Sequence, residues 1–305
     1  GGTLNVTDLG GFGVGVYRLI DYSGTLIDNG LTIGTLPAGA NAPHINLQTS
    51  VGQQVNLVYD NIVPEIQFWD GAGTIANGAV GGGSGSWTGT RTNWTNANGT
   101  ANDSWGSRFA VFQGAAGTVT VDGAIGVTGM QFMTDGYAIV AGTGSLSLAD
   151  AQTNIRVDPG VRATIGAGIG GAGGISKLDG GTLILGGANS YAGATGIAGG
   201  TLRAGVDGAL PSGTNVTIAA GATLDLAASQ TVASLAGDGR VTLSGGSLTT
   251  GGGNADTRYA GTISGSGGLT KTGSGTFTLA GANSYAGATT VSAGTLRLDG
   301  GTIGV

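Results

Sequence analysis

The chain has 305 residues, among them 67 glycines, 5 prolines and no cysteine; 9% are charged, 40% hydrophobic, and the net charge is −6. Glycine at this level without a triplet period or much proline excludes collagen, and so apolar a chain with so little charge is not a disordered one. Disulfides and thiolate metal sites are excluded as well, and 11 scattered basic residues make nucleic acid a poor partner, since phosphate binding needs clustered Lys and Arg.

The first residues, Gly1-Gly2-Thr3-Leu4-Asn5-Val6, read like the tail of a repeat, as though excised from something longer. No signal peptide opens the chain, and no apolar run approaches the ~20 residues of a membrane helix. Residues 1–64 are expected to form N-terminal coils with a loop near 37–46. His44, the sole histidine, lies in that loop with no second His or Cys to share a metal, and reads as an ordinary loop or strand residue. Residues 65–108, opened by the sole glutamate Glu65, hold Trp69, Trp87, Trp94 and Trp105 among Asn, Thr, Ser and Gly, with surface loops expected at 78–86 and 95–107. Exposed Trp could stack on sugars or anchor a protein, and Arg91 and Arg108 could add cation–π or salt-bridge contacts. The competing and preferred reading is that the rings plug the fold. If any segment carries a ligand contact it is this one, through Trp87, Arg91, Trp94, Trp105 and Arg108, with Tyr191 and Tyr285 as weaker candidates.

Residues 109–172 read as central coils. The GxGxxG at Gly166–Gly171 has no helix after it and is a turn. Gly252-Gly253-Asn254-Ala255-Asp256 only half resembles a calcium-binding nonapeptide and does not repeat. Residues 173–305 carry a duplication: 174–205 match 268–299 without a gap at an offset of 94, with 18 of 32 positions identical. Between the copies, Val216-Thr217-Ile218, Thr223-Leu224-Asp225-Leu226 and Val241-Thr242-Leu243 continue a rhythm of three- to five-residue strands closed by Gly, Asn or Asp. Tandem units can stack indefinitely, whereas a closed barrel or sandwich fixes its strand count. The expected fold is therefore all-β, a right-handed parallel β-helix (β-solenoid) with about three short strands per coil and essentially no helix. At roughly 20–25 residues per coil it would hold about a dozen coils, on the order of 60 Å at the usual strand spacing.

The pattern Gly-Leu-Thr-Lys-x-Gly-x-Gly-Thr-Phe-Thr-Leu-x-Gly-Ala-Asn-Ser-Tyr-x-Gly-x-Thr-x-Val-x-x-Gly-Thr-Leu-Arg at 268–297 resembles the passenger-associated transport repeat of type V autotransporters. The segment 174–203 is similar, with Leu178 and Asp179 departing from the usual small residues. Residues 17–22, 48–51 and 55–58 look like strands that close such cassettes; Phe68-Trp69-Asp70-Gly71, Asn93-Trp94-Thr95 and Ala110-Val111-Phe112 look like their opening. The resemblance implies a β-helical passenger on a Gram-negative cell surface, from a parent chain with an outer-membrane β-barrel translocator. It further implies an adhesin for host extracellular matrix proteins such as fibronectin, or for a cell-surface glycan.

No cofactor, metal or catalytic residue is expected. Asp179, Asp207, Asp225, Asp238, Asp256 and Asp299 mostly neighbour Gly or Ala and read as turn residues rather than as the clustered carboxylates of a polysaccharide-active β-helix. The alternatives to an adhesive segment are a purely structural stalk near the translocator and, last, such an enzyme. Unpaired strand edges at the terminal coils would favour self-association.

Overall fold

A computed structural model describes residues 2–8, 11–27, 29–60 and 66–303; Glu65 lies outside the described residues. From Ile66 onward the chain winds as a parallel β-solenoid of about nine turns. Among the described residues the one helical element is a 3₁₀ turn at Ala42–His44. A 13-stranded sheet forms face A, parallel except at one end, and a 10-stranded parallel sheet forms face B. Face C is built of strands at 124–127, 145–148 and 169–171, and again at 230–231, 248–250, 269–271 and 289–291. Between those stretches the third side is irregular, so the turns from 174 to 226 carry two strands rather than the expected three. Pairs such as Phe109 with Gly129, Gly129 with Asn154 and Asn215 with Ser234 set turns of 19 to 25 residues.

Alternation along each strand sends every second side chain inward. On face B, Ala163, Leu183, Leu202, Leu224, Val241 and Ile263 are stacked in register and buried. Each buried Leu or Ile contributes about 1.5–3 kcal/mol. At one corner between faces A and B, glycine sits on glycine: a Cβ on Gly261 would lie 1.8 Å from the Gly239 carbonyl oxygen, and one on Gly281 1.8 Å from that of Gly261. Only a bare backbone can turn there at one strand spacing from the turn below.

Residues 1–64 differ from the expectation of coils. Gly2–Leu4 and Leu31–Ile33 form a parallel pair, but Gly15–Asp21, Gln54–Tyr59 and Ile45–Gln48 form an antiparallel sheet. The reason is loop length. Thr49–Gln53 joins two strands directly, with Gln53 left-handed at φ 65°, and so short a link makes a hairpin, not the crossover that a parallel turn needs. Because this sheet does not coil and the first turn spends 43 residues between Ile66 and its partner Phe109, the solenoid is roughly 45 Å long rather than ~60 Å.

The two repeat copies sit on different faces. The first places Gly174–Leu178 on face A and Thr182–Leu185 on face B; the second places Leu269–Lys271 on face C and Thr276–Leu279 on face A. Each copy nevertheless makes the same bonds. Lys177 is fully buried in the inward column between Ile155 and Ile197, and its Nζ donates to the carbonyls of Leu178 (2.7 Å), Asp179 (2.8 Å) and Gly199 (3.1 Å). Lys271 donates to Thr272 (2.5 Å), Gly273 (3.0 Å) and Ala293 (3.2 Å), the same relative positions. Asn189 accepts from Ile169 N–H in the turn below and donates to Ala209 O in the turn above, at 2.8 and 2.7 Å. Asn283 does the same between Ile263 and Thr302, at the same distances. The motif thus ties three successive turns together, whichever face it occupies.

Burial pushes the Lys177 ammonium down to about 8 against a weaker opposing attraction from Asp179. The folded state therefore releases this proton before the unfolded chain does, so stability rises with pH between about 8 and the ordinary lysine value near 10.4. We expect the unfolding free energy of the wild type, read from urea titrations, to rise over that window relative to Lys177→Met, by at most ~3 kcal/mol. Parallel pH profiles for the two proteins would contradict it.

Candidate ligand-contact surfaces

The tryptophan segment is folded inward. Trp69, Trp87 and Trp94 are fully buried and Trp105 is 7% exposed. Their rings meet edge-on or tilted, with centroids 5.2 Å apart for Trp69–Trp94, 4.9 Å for Trp87–Trp94, 5.0 Å for Trp87–Trp105 and 4.3 Å for Trp94–Trp105. Phe112, stacked on Phe132 at 4.9 Å, continues this cluster into the solenoid core. Trp69 and Trp105 donate their indole N–H to Gly83 O and Gly126 O, both at 2.8 Å. The short strands Trp94–Thr95 and Asn102–Asp103 lie antiparallel on the outer edge of Ile66–Trp69, closing the first strand of face A against further pairing. The cluster is an end cap: its rings seal the core and its hairpin covers the sheet edge.

Of the residues predicted as contacts, Trp87, Trp94 and Trp105 come together as packing, with no ring face open to a sugar. Arg91 is exposed and Arg108 half-buried. The ring-stacked guanidinium among the described residues is Arg156. Tyr191 and Tyr285 are buried as well, their hydroxyls 2.7 and 2.6 Å from Thr195 and Thr289 Oγ1.

One concavity carries no signal in the sequence. A cleft of about 610 Å³ runs between the N-terminal antiparallel sheet and face A, lined in part by Phe12, Tyr17, Arg18, Arg156, Asp158 and Asp179. Gln131 holds that sheet to the solenoid as a strand would, accepting from Val16 N–H at 2.8 Å and donating to Val16 O at 2.7 Å. Arg156, from the next turn, lies 4.5 Å over the Tyr17 ring, donates to its hydroxyl at 2.7 Å and pairs with Asp179 at 2.8 Å. Phe12 covers Tyr17 at 5.1 Å between centroids. Burial raises the carboxyl of Asp158, which accepts from Gln131 Nε2 at 2.9 Å. These aromatic faces are occupied by one another, so the cleft is chiefly a docking seam.

Asp179 stands where the second repeat has Gly273, and both are left-handed, at φ 64° and 67°. The strained non-glycine residue in the first copy is explained by its partner Arg156. We expect Arg156→Ala to loosen the N-terminal sheet by about 1–3 kcal/mol, the cost of leaving partly buried partners unpaired. Amide exchange should accelerate in Gly15–Asp21 and Gln54–Tyr59 but not in the solenoid strands; uniform exchange behaviour in both proteins would refute the seam.

Among the described residues, no three His, Cys, Asp or Glu side chains gather as a metal site. Aspartates cap turns, as Asp122 does on Thr143 N–H (3.0 Å) and Asp256 on Thr276 N–H (2.6 Å). Asp225 departs from the turn reading: it lies within the strand Thr223–Leu226, faces outward and pairs with Arg203 of the adjoining strand.

Residues 175–204 and 269–298 match the passenger-associated-transport-repeat family model. The adhesin BmaC autotransporter of Brucella suis biovar 1 (strain 1330) is 42% identical over 224 residues, 68% of this chain but only 6% of that protein. No solved structure matches the chain.

Proposed function

The chain belongs to the autotransporter passengers, and from that membership we propose that it is an adhesive segment. In this reading it lies on the surface of a Gram-negative bacterium and attaches to host cells or extracellular matrix through an extended, non-catalytic surface. The similarity to a protein named as an autotransporter adhesin carries the reading. Because all four tryptophans are buried, this reading assigns the contact to the outward side chains of the sheets, where affinity accumulates over many small contacts.

A structural stalk is the second reading. It draws on the fact that Lys177, Asn189 and Tyr191 spend their polar groups on bonds within and between turns.

The test is binding of the purified protein to host cells and to immobilised matrix proteins and glycans, with competition against whole bacteria of the source strain. Saturable binding that displaces the bacteria is the expected result. A folded protein that binds nothing in either assay leaves the stalk.

A further inference from the structure

We infer that face B of the solenoid binds a linear acidic polysaccharide lying along the solenoid axis, with Arg162, Arg203 and Arg240 as its charge contacts. This assignment deepens the adhesive reading and rests on it. The strands Arg162–Ile165, Thr182–Leu185, Thr201–Ala204, Thr223–Leu226 and Arg240–Leu243 are consecutive neighbours in face B. Arginine therefore projects outward from the first, third and fifth of them. At ~4.8 Å per strand the three recur about every 9.6 Å along the axis, with Arg203 two residues along its strand from the line that joins Arg162 to Arg240. Thr182, Thr201 and Thr223 fill the column between Arg162 and Arg240, each in register with the next.

Two features point to a ligand of this chemistry. A pyranose chain advances by nearly one strand spacing per sugar, so a charge on every second strand matches one acid group per disaccharide. The intervening threonine hydroxyls meet the uncharged sugar between. The surroundings then set the direction. Asp225, the acidic side chain among these five strands, is paired with Arg203, which leaves the face net positive on a chain of net charge −6. Exposed carboxylates such as Asp135 and Asp238 sit at the corners before face B strands. A polyanion crossing the face would run over that carboxylate edge, whereas one lying along the axis passes it only beside the arginines, as at Arg162, whose backbone N–H Asp135 accepts at 2.8 Å.

Repulsion between like charges on adjacent strands already disfavours arginine on every strand. That alone does not place it on every second strand three times over. On face A, Arg258 and Arg297 are also two strands apart with Thr278 between them, but Asp299 lies 3.8 and 4.0 Å from the two guanidiniums. That pair is the natural control.

The experiment uses hyaluronan, which has one carboxylate per disaccharide, with neutral dextran beside it. The full chain, the Arg162→Gln/Arg203→Gln/Arg240→Gln variant and the Arg258→Gln/Arg297→Gln variant are compared, with circular dichroism as the check on folding. Hyaluronan should bind saturably and dextran should not. The face B variant should bind roughly tenfold more weakly, as for three partly screened charge contacts. The face A variant should be unchanged, and Asp225→Asn, which leaves every arginine in place, should bind more tightly. No saturable hyaluronan binding by the wild type, or equal loss in both arginine variants, overturns the assignment. Attachment to host cells is scored separately. Cells bound equally by the wild type and the face B variant, without hyaluronan binding, would end this assignment and leave the adhesive reading standing. Hyaluronan binding without cell attachment would do the reverse.

Discussion

Replacing Trp94 by alanine is expected to destabilise the chain by about 3–5 kcal/mol, the range for emptying a buried tryptophan site. Trp94 touches Trp69, Trp87, Trp105 and Phe112, so the cavity would open at the centre of the cap. It is also the residue in register with Trp69 on the edge of face A, so loosening it frees the hairpin that covers that edge. Two observables follow: a lower urea midpoint, and new concentration-dependent association through the uncovered strand Ile66–Trp69. Trp94→Phe keeps a ring in place and should recover much of the loss. A Trp94→Ala variant as stable as the wild type would mean that the rings do not hold the end of the solenoid.

The second large effect concerns the repeat lysines. Two opposed terms decide the sign of Lys177→Met. Removing a buried ammonium relieves the cost that depresses its proton affinity, at most ~3 kcal/mol at neutral pH. Against that, three carbonyls lose their donor, at about 1–3 kcal/mol each when buried. The carbonyls prevail, and a net loss of about 2–4 kcal/mol is expected. Lys271→Met should cost a similar amount, because its three acceptors stand at the same positions relative to it. The sites are far enough apart along the solenoid for the two losses to add within about 0.5 kcal/mol. Equal and additive losses in denaturant titrations would make the carbonyl cage a property of the motif. A loss confined to one copy would make it an accident of that face.

How far the sequence could be read follows from what each residue signals locally. The strand rhythm between 174 and 298 carries the solenoid, because alternation and glycine punctuation are written within a few residues. Antiparallel pairing at 45–59 was missed although Ser50-Val51-Gly52-Gln53 bears a tight-turn signature, since the strands on either side look like those of a coil. Lys177 and Lys271 gave no sign of burial as single residues. What could have revealed them was their identity in two copies whose flanking positions differ. Asp179 stood out as a departure from the repeat, and its reason, Arg156, lies 23 residues earlier and one turn below. The tryptophans read more readily as packing than as contacts, but their partners Phe112 and Phe132 come from turns that only the coiling brings beneath them. Face B illustrates the same limit: Arg162, Arg203 and Arg240 seem scattered along the chain until the coiling brings them to alternate strands of one sheet.

The displacement of one repeat copy by a face relative to the other bears on how such a protein grows. Two copies 94 residues apart, on different sides of the solenoid, find the same carbonyls for their lysine and asparagine, so a duplicated repeat is not tied to a whole number of turns. Elongation by recombination is thus freed from counting residues. Each insertion also turns whatever decorates the next stretch of surface to a new compass bearing around the rod. Lineages could vary both the reach of the passenger and the direction in which it presents its chemistry by the same genetic event.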